Sequence, residues 1–251
     1  SATVSCTTST CTPACAPKHS ISSSANVGNP LLEPEQTWKA SLQWKRPLGQ
    51  RGSLSITGFY DDIEDTQDLI VVPGVCATPA STPGACTAVG NIGDGERWGG
   101  RIEATLPLDS VGVAGGLLKM NIGAQESSVI DPVTFQKREI SAEQEFDWTI
   151  DFRQDVPAMK FAWGAKVNSV GPIPQYRADR FEVTEPKDPN VDLFVETTAF
   201  LGGLLVRVTA ANMLNVEKET DRQYIVAAPY AEEFRSSTMG RNVTLTVAGA
   251  F

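Results

Sequence analysis

The chain has 251 residues, 41% hydrophobic and 20% charged, which is the balance of a folded protein and room enough for one large all-β domain or two smaller ones. Its 21 basic and 30 acidic residues sum to −9 with no cluster of Lys and Arg, which argues against nucleic acid or anionic phospholipid as a partner. No uncharged apolar run reaches the roughly 18 residues that a membrane-spanning helix needs, which leaves membrane-spanning strands open.

The N-terminal stretch SATVSCTTSTCTPACAPKHS has no basic start and no apolar run, so it is not a secretory signal, and residues 1–35 read as a loop segment. Cys6, Cys11, Cys15, Cys76 and Cys86 all lie in Thr-, Ser-, Pro-, Ala- and Gly-rich sequence. A zinc site needs tightly spaced pairs or His partners, and the only histidine is His19; disulfides in an oxidising compartment are the better reading. Cys76 and Cys86 bracket ATPASTPGA and could close that loop, while the odd thiol either pairs outside the chain or stays free. His19, alone in a Ser-rich segment, offers no catalytic constellation, so the chain is not read as an enzyme.

From residue 36 onward apolar and polar residues alternate, and no stretch repeats at helical spacing. The first strand sets Trp38, Ala40, Leu42 and Trp44 against Lys39, Ser41, Gln43 and Lys45; the second, after PLGQRG, sets Leu54, Ile56 and Tyr60 against Ser53, Ser55 and Thr57. Trp98, Ile102 and Leu106 mark a third, Leu118, Met120 and Ile122 a fourth, Phe146, Trp148, Ile150 and Phe152 a fifth, and Phe161, Trp163 and Val167 a sixth. A seventh near residues 193–201 is less regular because Phe194 and Phe200 fall on its polar face; Leu204 to Ala210 and residues 241–251 complete about nine strands.

Short turns near residues 47–52, 107–112, 153–158 and 201–203 alternate with long polar segments at 62–95, 126–141, 170–190 and 213–240. Loops this long are uncommon in compact soluble domains, and short turns alternating with long loops are what an outer-membrane barrel shows. A soluble β-sandwich, an adhesin or a carbohydrate-binding module, is the alternative, with the aromatics as its core. Against it, the aromatics lie toward strand ends as in a membrane girdle, and the opposite face carries Lys39, Arg101, Glu103, Asp147, Asp151, Lys166 and Arg207, which suits a wet lumen. The acidic run Asp61, Asp62, Glu64, Asp65 and Asp68 is a candidate for calcium or a cationic ligand, and Tyr176, Arg177 and Arg180 for an anionic one.

With the strands placed, the sequence resembles the C-terminal part of a TonB-dependent outer-membrane receptor. The resemblance rests on NPLLEPEQTWKASLQWKR at 29–46, NIGDGERWGGRIE at 91–103, WGAKVNS at 163–169 followed by Tyr176 and Arg177, RVTAANMLN at 207–215, where the family's usual Phe and Asp are missing, and the final TLTVAGAF. It implies that residues 36–251 are the last antiparallel strands of a barrel of about 22. The strand at 241–251 would then close the barrel, with residues 1–35 outside. Val243, Leu245, Val247 and Phe251 would be the barrel-assembly signal, so that deleting Phe251 impairs assembly. The implied function is uptake of a scarce ligand, a siderophore, cobalamin, sugar or peptide, across the outer membrane of a Gram-negative bacterium. The implied partners are the remaining strands, a plug domain, TonB acting through the plug, and outer-membrane lipid and lipopolysaccharide, with no resident cofactor. The missing strands lie either on a second polypeptide, the receptor being cut within an outer loop, or on one longer chain.

Overall fold

The computed structural model describes residues 2–10, 28–73, 85–177, 180–200, 203–224 and 232–249. Its strands are β1 (Ala2–Thr10), β2 (Gln36–Leu48), β3 (Gly52–Glu64), β4 (Gln67–Pro73), β5 (Ala85–Asn91), β6 (Gly95–Pro107), β7 (Gly116–Ile130), β8 (Lys137–Arg138) and β9 (Phe146–Val156). They continue as β10 (Phe161–Val170), β11 (Ile173–Tyr176), β12 (Arg180–Pro186), β13 (Asn190–Thr197), β14 (Leu205–Ala211), β15 (Glu217–Tyr224), β16 (Glu232–Thr238) and β17 (Asn242–Ala248). The main sheet runs β1-β2-β3-β6-β7-β9-β10-β13-β14-β17, with β8 added to β7.

The nine strands expected from alternation are β2, β3, β6, β7, β9, β10, β13, β14 and β17 of this path. A tenth, β1, lies inside the segment read as a loop, in register from Ala2 opposite Trp44 to Thr10 opposite Gln36. Its ATVSCTTST sequence has no large apolar residue to mark a greasy face, yet Thr and Val suit a pleated strand.

The long connections also differ from expectation, because much of them is strand. The β3–β6 ladder resumes as β4–β5, β10–β13 as β11–β12, β13–β14 as β12–β15, and β14–β17 as β15–β16. Residues with positive φ mark the breaks: Asp65 (56°), Gly93 (103°), Asn212 and Asn215 (both 54°) and Gly240 (74°). Asn, Asp and Gly are the residue types that enter this region at least cost.

One face of the main sheet is continuously apolar. Trp44, Ile56, Ile102, Ile122 and Trp148 lie opposite one another across five strands, and Trp163, Val195, Val208 and Leu245 across four more. All of these but the half-buried Trp148 are exposed, Ile56 at 43%, Ile122 at 40% and Leu245 at 67%. A sandwich would bury this face against a second sheet, whereas a membrane strand leaves it to lipid. Aromatics gather at both margins of the belt. Tyr60 stands opposite Trp98 toward the long connections, and Phe152 meets Trp163 edge-on, centroids 5.2 Å apart, toward the short turns. Across the sheet, Ile63, Ile92, Val129 and Ile140, with Ile70 against them, form a small buried core beneath the long connections.

Candidate functional site

The inner face and its rim hold the charged side chains, and at the rim they converge on Arg138. Its Nη1 donates to Asp68 Oδ2 at 2.7 Å and to the Glu139 carbonyl at 2.8 Å, and its Nε donates to Asp131 Oδ2 at 2.8 Å. The guanidinium also lies over the Tyr176 ring, 4.3 Å from its centroid. Asp68 Oδ2 accepts a further bond from the Ser141 amide at 3.1 Å, and Ser141 Oγ accepts one from the Tyr176 amide at 3.1 Å. Arg138 thus joins β4, the turn after β7, and β11, three long connections that are remote in sequence. The turn is built for this: Asp131 Oδ1 accepts the Val133 and Thr134 amides at 2.9 and 2.8 Å, an Asx turn that aims Oδ2 at Arg138.

Below this cluster Arg97 on β6 donates to Asp61 Oδ2 at 2.6 Å and to Glu143 Oε1 at 2.7 Å, tying the wall to the connection above it. Glu143 shares a niche with Gln125, Ser127, Glu139, Gln144 and Glu145. Burial lifts the Glu143 carboxyl above its ordinary value although Arg97 opposes this, and burial, with help from Glu145, lifts Glu139. Burial also pushes Asp131 up, but the Thr134 amide, Arg138 and the Val133 amide outweigh it and hold that carboxyl low. The signs are therefore opposed. Glu139 and Glu143 bind protons more tightly folded than unfolded, so the rim gains stability as pH falls toward about 4.3, and the Asp131 contribution is lost only below about 3.9. Amide exchange in residues 139–145, corrected for its intrinsic rate, should slow as pH falls from neutral toward about 4.3 while that of residues 131–134 holds steady. Exchange that quickens over this range would contradict the assignment.

On the wall itself ion pairs skip a strand. Arg101 on β6 reaches Asp147 on β9 at 2.8 Å and Asn121 Oδ1 at 2.6 Å, passing over Gly123 of β7. A Cβ on Gly123 would sit 2.7 Å from both Arg101 Nη2 and Asp147 Oδ1, so the glycine makes room for the bridge. Gly123→Val should cost about 1 kcal/mol, the value of a half-exposed pair, and little more once Arg101 is already Ala. Urea unfolding in detergent, run as a double-mutant cycle, checks this; full additivity would show that the bridge is not what the valine breaks.

Phe194, the aromatic on the polar face of the seventh expected strand, is accounted for in the same way. It lies over Gly164, directly opposite on β10, with the Arg207 guanidinium 4.0 Å from its ring centroid. Arg207 and Arg153 both pair with Glu196. The inner face is thus a wet, ion-paired surface and the outer face a greasy one.

The family model for TonB dependent receptor-like β-barrels matches residues 7–186, more than half of the chain. The chain belongs to the TonB-dependent receptor β-barrel family. No curated protein and no solved structure matches it.

In this receptor wall the candidate ligand residues do not form the groups expected. Asp61, Asp62 and Glu64 lie in β3 rather than in a loop, with Asp61 buried inside against Arg97 and Asp62 and Glu64 exposed on the other face. Asp65 occupies the kink after β3, and among the described residues no three acidic, His or Cys side chains gather as a metal-binding group. Tyr176 lies beneath Arg138, the buried Arg177 donates its amide to the Arg180 carbonyl at 2.9 Å, and Arg180 reaches Glu182 at 3.2 Å on the outer sheet. Val243, Leu245 and Val247 are bare on β17; Phe251, Cys11, Cys15, Cys76 and the side chains of Cys6 and Cys86 lie outside the described residues. Arg138, Asp131 and Ser141 were not singled out in the sequence. The DPVT Asx-turn signature seven residues before Arg138 is the signal that could have found them.

Proposed function

We propose that this chain forms part of the barrel wall of a TonB-dependent receptor that carries a scarce ligand across the outer membrane, with the ligand met by the strand extensions above the Arg138 cluster. The observation that supports it most is a main sheet with an apolar face left bare, an ion-paired opposite face, and edges at β1 and β17 that pair with nothing among the described residues. Unpaired backbone groups in hydrocarbon cost several kcal/mol each, so further strands close the barrel around a plug through which TonB acts. Lipid and lipopolysaccharide cover the outer face. Cells carrying the intact receptor should accumulate its ligand, sought among ferric siderophores, cobalamin, sugars and peptides, only when TonB is present; equal accumulation without TonB refutes the reading. A denaturing gel of native outer membranes, probed for this chain, tells a receptor in two polypeptides from one in a single chain.

A further inference from the structure

Four ladders cross from the wall into the outer extensions without losing a partner, and the last of them, β14–β17 into β15–β16, ends on two edges, one above the other, that are unpaired among the described residues. The junction between the tiers is fixed. Asn212 Nδ2 donates to the Gly240 carbonyl at 2.9 Å, and Arg241 Nε donates to the Met213 carbonyl at 2.9 Å, so the break in the outermost strand is tied to the break in its neighbour. The edge of β16 therefore runs on from the edge of β17. Every residue of β16 is exposed, including Phe234 at 74%.

Strand edges that are meant to stay free are guarded by charges, proline or bulges. Two of the polar side chains of β16 are turned to β15: Glu233 accepts from Tyr224 Oη at 2.9 Å and Arg222 Nη1 at 3.3 Å, and Ser236 donates to Glu217, which leaves Glu232 and Arg235 as the charges able to meet or guard a partner. No proline interrupts EEFRSST, and its one aromatic is left bare.

We infer that the strand pairing with β17 in the closed receptor continues beyond the membrane and pairs with β16 as well, so that this edge is a two-tiered docking site for one long strand. The inference rests on the barrel reading above. The occupant is a strand of the remaining barrel, antiparallel to β17 and β16. It spans about 17 residues to cover Glu232 to Ala248, with Gly, Asn or Asp at the level of Gly240 and an aromatic or β-branched side chain against Phe234. In the lower tier the drive is hydrocarbon, where an unpaired amide has no water to turn to. In the upper tier it is cover for Phe234, together with a junction already held in line.

Hydrogen exchange on the intact receptor in detergent separates the two tiers. The amides of β17 and β16 that point away from β14 and β15 should both exchange at least about 100-fold slower than free peptide. Slow exchange in β17 with free exchange in β16 overturns this inference and leaves the barrel standing; free exchange in both overturns both. A photo-crosslinking phenylalanine analogue placed at Phe234 identifies the occupant. A link to another strand of the receptor barrel supports the proposal, while a link to residues 1–27, to a second copy or to a separate surface protein overturns it.

Discussion

Changing Ile122 to Lys should sharply lower the amount of receptor in the outer membrane, whereas Thr149→Lys, one strand over and on the opposite face, should leave it near normal. Ile122 lies mid-row between Ile102 and Trp148, bare on the face that meets hydrocarbon. A charged side chain at the bilayer midplane of a barrel costs about 2–4 kcal/mol, a large part of what holds a folded domain together. Thr149 lies opposite Asn121 and Asn168, on the inner face with Asp147 and Asp151 two residues away on either side, so a lysine there stays wet and finds carboxylates. Heat-modifiable mobility and yield in the outer-membrane fraction measure both. Equal tolerance of the two changes would mean that the faces have been assigned wrongly.

Alternation made the wall legible because period two is a local property and each wall strand has one face of large apolar side chains. It failed where that contrast is missing. β1 alternates only Ala, Val, Cys, Thr and Ser, β15 is polar on both faces and β12 offers only Phe181 and Val183 on one of them, so both outer strands read as loop until their ladder is seen. Positive φ at Asp65, Asn212 and Asn215 adds to this, since each kink breaks the pattern in mid-strand. The resemblance of AANMLN to a family turn was legible too, and its reason is now physical. Asn212 Oδ1 accepts the Val216 amide at 2.7 Å while its Nδ2 holds the Gly240 carbonyl, so this residue both turns the chain and locks the next junction.

The candidate site was harder to see. Asp68 lies 70 residues from Arg138, and no spacing rule links an acidic residue on one hairpin to a guanidinium on another. Tyr176 stood out because of the Arg beside it, yet its ring serves Arg138 instead. Phe194 looked like a flaw in its strand because Arg207 and Gly164, which seat it, lie on the two neighbouring strands.

The Arg138 cluster carries the second large effect. The side chains of Arg138 and Asp68 are 7% and 2% exposed, and removing one partner of so buried a pair costs about 3–5 kcal/mol because the other charge is left without compensation. Arg138→Met should therefore loosen the rim without unfolding the wall, whose ladders, the two-residue β7–β8 pairing apart, do not pass through this cluster. Since one guanidinium serves Asp68, Asp131 and the Tyr176 ring, amide exchange should rise together in β4, residues 131–141 and β11, by about 100-fold or more, and stay unchanged in β2, β3 and β10. Arg138→Lys keeps the charge but not the planar fork, so it should hold one carboxylate and free the other turn, giving a partial rise. Adding Asp68→Leu to Arg138→Met removes the stranded carboxylate and should recover part of the loss. If exchange rises in residues 131–141 alone, Arg138 braces only its own turn, and the three connections answer to the ligand separately rather than as one rim.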